Sequence, residues 1–457
     1  MQIIHAKQAL TPTGWMADVE ICINEAGRID SVQRQERRCD QSVDLALPAP
    51  ANLHSHTFQR AMGGLTERRG PRGHDSFWSW RKIMYQFLDQ LTPEDVQSIA
   101  ALAFMEMMEA GYGSVAEFHY LHHAPRGLPY QRLSEMTERI IEAAQAVGIG
   151  LVHLPVLYQF GGCDRRQLEG GQQRFGCSVE QFGYLLEEAR ASVAQAPSDF
   201  SIGVAPHSLR AVDSRGLQAC IELAGDGPIH MHLAEQLAEV DEVLEHLGSR
   251  PIEWLLASLP VDTRWCLVHC TQMTAEETIG LAKTGAVVGL CPITESSLGD
   301  GIFAGVAYTE HGGAMGVGSD SNIHVAYFEE LCTLEYSQRL RDKARVRLAT
   351  ADASVGRYLI EKTTRGGHQA IGRDAGYLAE GAQADILGIA TDNRWLCHRR
   401  GDMVLDSLVF SGHSSNCVSD VWSAGRHQIK DGRHVRHDQI VSAFQSTMAR
   451  LTQDGFR

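Results

Sequence analysis

No apolar run in this 457-residue chain reaches the roughly 18 residues that a membrane-spanning helix needs. The opening residues, Met1-Gln2-Ile3-Ile4-His5-Ala6-Lys7, lack the basic stretch and apolar stretch of a secretory leader. These two absences point to a cytoplasmic protein that does not engage a membrane. The 11 cysteines are scattered and contain no C-x-x-C pair, which suits reduced core thiols rather than a disulfide framework or a zinc ribbon. Proline is sparse, at 14 residues, and hydrophobic content is 44%, so a disordered or collagen-like chain is excluded. Internal repeats and low-complexity tracts are absent. Positive charge is also in short supply: 41 Lys and Arg against 56 Asp and Glu leave a net charge of −15. Such a surface repels phosphate backbones and argues against nucleic-acid partners. An anionic small-molecule ligand would need particular arginines to override that field. Histidine is the surplus, at 21 residues.

The texture of the chain changes twice. Residues 1–46 read as short, half-buried antiparallel strands, as in Asp18–Ile23 and Gly27–Val32. From about residue 47 to 375, apolar strand candidates alternate with amphipathic helices. Thr92-Pro93-Glu94-Asp95 is a helix start with an N-cap, a first-turn proline and acids at the positive dipole end. Thr274-Ala275-Glu276-Glu277 is a capping box opening another helix. Repeated strand–helix units over such a length predict a parallel sheet, closed into a (β/α)8 barrel. Residues 376–457 return to turns and strands and end on a helix over about Asp438–Leu451. The two ends share one texture, which predicts one small β-domain built from both.

The histidines fall in a pattern. His54-Ser55-His56 is an H-x-H, and residues i and i+2 of a strand point the same way. With 21 histidines, chance alone yields about one such triplet, so the motif carries little by itself. His230-Met231-His232 is a second, followed by Glu235. His232 lies nearer the strand's C-terminal end and is the preferred ligand, with His230 packed or hydrogen-bonded. His269 ends the apolar run Trp265–Val268, and Asp320 follows Gly316-Val317-Gly318-Ser319. All fall at C-terminal strand ends of one barrel, where such folds carry their sites. Nitrogen and oxygen ligands without cysteine suit one catalytic zinc or iron(II) ion. A second metal would need further ligands. The region expected to form the fourth strand, Val152–Val156, offers His153 and no lysine, so the site reads as mononuclear.

The early H-x-H, the later H-x-x-E, the lone histidine and the final S-D resemble the amidohydrolase superfamily on its mononuclear deaminase branch. The likeness extends over essentially the whole chain and includes Gly381-Ala382-Gln383-Ala384-Asp385. Four longer stretches resemble the formimidoylglutamate deiminase family: Asn52–Met62, Ser76–Tyr85, Ala116–His123 and Ala205–Arg210. The resemblance implies an amidohydrolase-type α/β fold, a (β/α)8 barrel with a small flanking β-sandwich. It implies a homodimer and one divalent metal ion, zinc or iron(II), on His54, His56, His232 and Asp320. Glu235 and His269, with Asp320, would handle protons. Gln59, Arg81, Tyr120, His207 and Arg210 would hold the substrate. The implied reaction is hydrolysis of N-formimino-L-glutamate to N-formyl-L-glutamate and ammonia, in histidine breakdown. That substrate carries two carboxylates, and Arg81 and Arg210 suit paired hydrogen bonds to them. Other readings are a related deaminase acting on a guanidine, purine or cyclic amide, or a metal-free barrel kept as a binding protein. The last predicts broken ligands, and none is broken. His122 and His123 read as loop residues with satisfied hydrogen bonds.

Overall fold

Eight short parallel strands, seven of them buried along nearly their whole length, organise the centre of the molecule. The computed structural model describes residues 1–35, 41–67, 77–412 and 414–453, with the backbone alone for 77–79, 414–415 and 453. Ser76, the first residue of one family-like stretch, lies outside the described residues.

The strands are Ala51–Ser55, Ser114–His119, Gly150–Leu157, the broken pair Ser201–Ile202 and Ala205–Pro206, Ile229–Leu233, Trp265–His269, Val287–Leu290 and Ala314–Val317. They pair in parallel in two runs. Isolated parallel bridges, Val204 to Ile229 and Ser55 to Asp320, join those runs into a closed barrel. Strands covered on both faces must read as continuous apolar runs, and Trp265-Cys266-Leu267-Val268 does so. Helices follow the strands and cover them. The helix Pro93–Glu109 carries the expected capping box between Thr92 and Asp95, and Ala275–Ala282 carries the one between Thr274 and Glu277. Val152–Val156 lies on the third barrel strand, not the fourth. The fourth is two dipeptides broken at Gly203-Val204, too short to leave a periodic signal.

Both chain ends enter one eight-stranded sheet. Its order is Arg433–His434, Arg426–Lys430, Val418–Ser423, Ile386–Ile389, Gln41–Pro48, Gln2–Thr11, Gly14–Ile23, Ile29–Arg34. Only the contact of Gln2–Thr11 with Gln41–Pro48 is parallel within that order. Ile4, Val19, Ile21, Ile29, Ile386 and Trp422 belong to a core separate from the barrel's. The final helix is His437–Gln453.

A buried ion network ties sheet to barrel. Arg373, which follows the last barrel helix, donates from Nε and Nη2 to the two carboxylate oxygens of Asp385, at 2.6 and 2.9 Å. It also donates to Asp199 Oδ2 at 3.2 Å, and Arg426 of the sheet grips Asp199 through both guanidinium arms, at 2.7 and 2.8 Å. Gly150 makes room for this: a Cβ there would lie 2.8 Å from Arg373 Cζ. All ten described cysteines are free thiols. Among the described residues, no helix is long and apolar enough to cross a membrane.

Candidate active site

The strand Ala51–Ser55 delivers His54 and turns out of the barrel at His56. Closure of the barrel brings the last strand's exit beside it. Asp320 N–H donates to His54 O at 2.9 Å, and His56 N–H donates to Asp320 O at 2.9 Å. Gly318 permits this approach, because a Cβ there would lie 2.7 Å from the His54 backbone. A buried amide–hydroxyl network locks the same seam. Asn52 Nδ2 donates to Ser319 Oγ at 2.6 Å, Ser319 Oγ to Asn322 Oδ1 at 2.6 Å, and Asn322 Nδ2 to Ser55 Oγ at 3.1 Å. Such a network specifies one arrangement because each unpaired member would cost free energy.

Four ligating groups converge there. His54 Nε2 and His232 Nε2 are 3.1 Å apart. Asp320 Oδ1 lies 3.5 Å from His54 Nε2 and 3.3 Å from His56 Nε2. Ligands at 2.0–2.2 Å around a tetrahedral ion lie about 3.4 Å from one another. The donor set therefore fits one divalent ion. Tautomers agree: His56 Nδ1–H donates to Phe118 O at 2.8 Å, which leaves Nε2 as the lone-pair atom facing the cluster. Burial pushes His54 down to about 3 and holds His232 well below the usual imidazole range, so both stay neutral and able to ligate. His230, as expected, takes no part; its Nε2 donates to Ala370 O at 2.7 Å.

Glu235 and His269 stand beside the cluster, with His269 Nε2 3.8 Å from Glu235 Oε1 and 4.0 Å from Asp320 Oδ2. Burial, reinforced by Asp320 and Glu239, pushes the Glu235 carboxyl up to about 7 despite His269. Burial alone would keep His269 neutral, but Glu235, Glu295 and Asp320 together hold it well above the usual imidazole range. Asp320 is likewise buried, yet His54, His56 and His269 keep it well below the usual carboxylate range. Strain gathers here: Ala234, His269, Cys270, Asp320 and Asn322 all have φ between 46° and 73°. Non-glycine residues in that region cost about 1–3 kcal/mol each and persist only where the surroundings over-determine them.

The cleft above the cluster is lined by ten of the eleven residues singled out from the sequence. The exception, His54, is fully buried beneath it. Gln59 Nε2 donates to Tyr120 OH at 2.7 Å, while Gln59 Oε1 has no partner among the described residues. Arg81 Nη2 donates to Tyr158 OH at 2.8 Å, and His207 Nδ1 lies 3.0 Å from Ser208 Oγ. Arg210 is 7% exposed on the cleft wall. His122 and His123 stand apart, with Nε2 atoms on Val156 O and Gly176 O, both at 2.8 Å.

Sequence reasoning missed the residues behind this set. Glu295 Oε1 lies 3.3 Å from His269 Nδ1. Glu239 accepts the backbone N–H groups of Ala234 and Glu235, at 3.2 and 3.0 Å, and so grips the turn that carries Glu235. Nothing local marks either as more than a helix acid. Tyr158 could have been found, because it sits one residue past a barrel strand's C-terminal end.

Comparison with known proteins converges on one family. Residues 45–427 match the amidohydrolase family, and residues 1–36 match the formimidoylglutamate deiminase HutF N-terminal domain. A formimidoylglutamate deiminase of Pseudomonas aeruginosa is 41% identical over 99% of this chain and 100% of its own length. An 8-oxoguanine deaminase of the same organism is 28% identical over 76% of this chain and 74% of its own. The crystal structure of an amidohydrolase from Brucella melitensis superposes with a TM-score of 0.94 at 44% identity, covering 99% of this chain and 100% of that one. An adenosine deaminase from Xanthomonas campestris shares the fold, with a TM-score of 0.83 at 19% identity over 99% and 98% of the two chains. The chain belongs to the amidohydrolase family and, within it, to the formimidoylglutamate deiminases.

Proposed function

We propose that the cleft hydrolyses N-formimino-L-glutamate to N-formyl-L-glutamate and ammonia, a step of histidine breakdown. The observation that carries this is the whole-length 41% identity to a formimidoylglutamate deiminase, joined to a cleft that sets two arginines beside a metal-ligand cluster. The metal ligands are His54, His56, His232 and Asp320, and the ion is one divalent cation, zinc by preference, with iron(II) compatible with the same nitrogen and oxygen donors. Bound there, the ion supplies Lewis acidity that lowers the pKa of water toward about 7.

The protein's own groups do the rest. Asp320 orients water and helps take its proton, while His269, held protonated by its carboxylate neighbours, orients the same water and balances negative charge on the attacking oxygen. Glu235, its carboxyl pushed up to about 7 by burial, holds a proton in a large fraction of molecules at neutral pH and delivers it to the departing nitrogen, so that ammonia leaves. Gln59 Oε1, short of a donor, suits an N–H of the formimino group, with Tyr120 and His207 walling the same cleft. Arg81 and Arg210 take the carboxylates. The same reading assigns residues 47–375 to the catalytic barrel and residues 1–46 and 376–457 to the flanking β-domain, and takes the enzyme as a cytoplasmic homodimer without nucleic-acid or membrane partners.

Ammonia release from N-formimino-L-glutamate tests it. Purified protein is expected to release ammonia, to lose that activity with a chelator, and to regain it with Zn2+. No release from folded, metal-replete protein would overturn the substrate. Arg210→Ala is expected to lower kcat/KM about 10- to 100-fold, the worth of a hydrogen bond to a charged group. An unchanged kcat/KM removes Arg210 from substrate binding.

A further inference from the structure

One wall of the cleft carries two phenol hydrogens that no described residue accepts. The helix Phe77–Leu88 presents Arg81 and Tyr85 one turn apart, with the guanidinium 5.3 Å from the Tyr85 ring centre. Facing them, Tyr158 is 2% exposed, and its hydroxyl oxygen accepts from Arg81 Nη2 at 2.8 Å and from Gln172 Nε2 at 3.2 Å. The Gln172 amide cannot be turned round without loss. Its Oε1 accepts the Glu169 N–H at 3.4 Å, in the capping box of the short helix Gly170–Arg174. A phenol has two lone pairs and one hydrogen. Both Tyr158 lone pairs are taken by N–H donors, so its hydrogen remains to be given away, and no described residue accepts it. The Tyr85 hydroxyl is buried beside the N–H donors of Arg81 and Gln172, and no described residue accepts its hydrogen. Burial pushes its phenol up, so it too keeps its hydrogen at neutral pH.

Buried donors left unpaired cost free energy, and a ligand that only accepts removes that cost. An ionised carboxylate is such a ligand, with about four lone-pair positions on two oxygens.

We propose that Tyr158 and Tyr85 donate, beside Arg81, to one of the substrate's two carboxylates, with Gln172 as a positioning residue that turns the Tyr158 hydrogen into the cleft. These two phenols are then specificity-determining residues that select an acidic substrate over a neutral one. The assignment rests on the substrate reading above.

Steady-state kinetics of Tyr158→Phe and Tyr85→Phe test it. Three substrates are needed: N-formimino-L-glutamate, its analogue lacking the α-carboxylate (4-formimidoylaminobutyrate), and its analogue lacking the side-chain carboxylate (N-formimidoyl-2-aminobutyrate). Tyr158→Phe is expected to raise KM for the dicarboxylate about 10- to 100-fold, with kcat within about twofold. The same penalty should persist on one analogue and vanish on the other, which identifies the carboxylate bound. Tyr85→Phe should follow the same substrate pattern. Gln172→Leu should raise KM less, and should add nothing in a Tyr158→Phe background. An unchanged KM in both phenylalanine variants, or an equal penalty on both analogues, overturns the subsite while leaving the deiminase reading intact. A wild-type enzyme inactive on N-formimino-L-glutamate overturns that reading, and the subsite with it.

Discussion

Glu235→Gln is expected to lower turnover about 10²- to 10⁴-fold while metal content stays at the wild-type level. The amide keeps the size and the hydrogen-bonding reach of the acid but cannot carry the proton that the departing nitrogen needs. Metal content should hold because Glu235 is outside the ligand set and its carboxylate faces His269 Nε2, at 3.8 Å. The backbone of residue 235 should also stay in place, since Glu239 grips its N–H and Thr271 Oγ1 donates to its carbonyl at 2.7 Å. Parallel assays of ammonia release and metal by elemental analysis separate the two effects. Near-normal turnover would remove Glu235 from proton transfer. Metal loss in step with activity would show that the residue acts on the ion site instead.

Arg373→Met is expected to cost about 3–5 kcal/mol of stability, read as a lower midpoint of denaturant unfolding. The guanidinium is 3% exposed and is the sole described cation paired with the fully buried Asp385 carboxylate. Its removal strands that charge in the seam between the flanking sheet and the barrel, because the Ala424 N–H at 2.7 Å is too little compensation. Asp199 suffers less, since Arg426 keeps its two-armed grip. Removing both charges in Arg373→Met, Asp385→Leu should recover part of the loss, because an apolar pair leaves no buried charge behind. A single variant that loses less than about 1 kcal/mol would show that water or local rearrangement solvates Asp385, and the seam would then owe its stability to apolar contact alone.

Much of this protein is written in short stretches of its chain. The alternation of Asp18–Ile23, the capping boxes at Thr92 and Thr274 and the apolar run before His269 each describe a local element through the spacing of adjacent residues. The two H-x-H pairs placed ligands at strand ends for the same reason: a period of two points both imidazoles one way. Motif likeness joins His54, His56, His232 and Asp320, and the fold brings their ligating atoms within 4.8 Å of one another. Other features leave no local trace. Two dipeptides around Gly203 are too short to show a period, so the fourth barrel strand is invisible to pattern and Val152–Val156 is the third. Glu239 and Glu295 look like ordinary helix acids until their backbone and histidine partners are seen. The donor wall of Tyr85, Tyr158 and Gln172 comes from a helix, a strand end and a short turn far apart in the chain. Local spacing marks most of the strands and helices and the side chains able to ligate a metal, because those properties depend on neighbours within a turn or a pleat. What stands behind and opposite them depends on the folded whole, because barrel closure sets contacts across hundreds of residues and burial sets the charge each group carries.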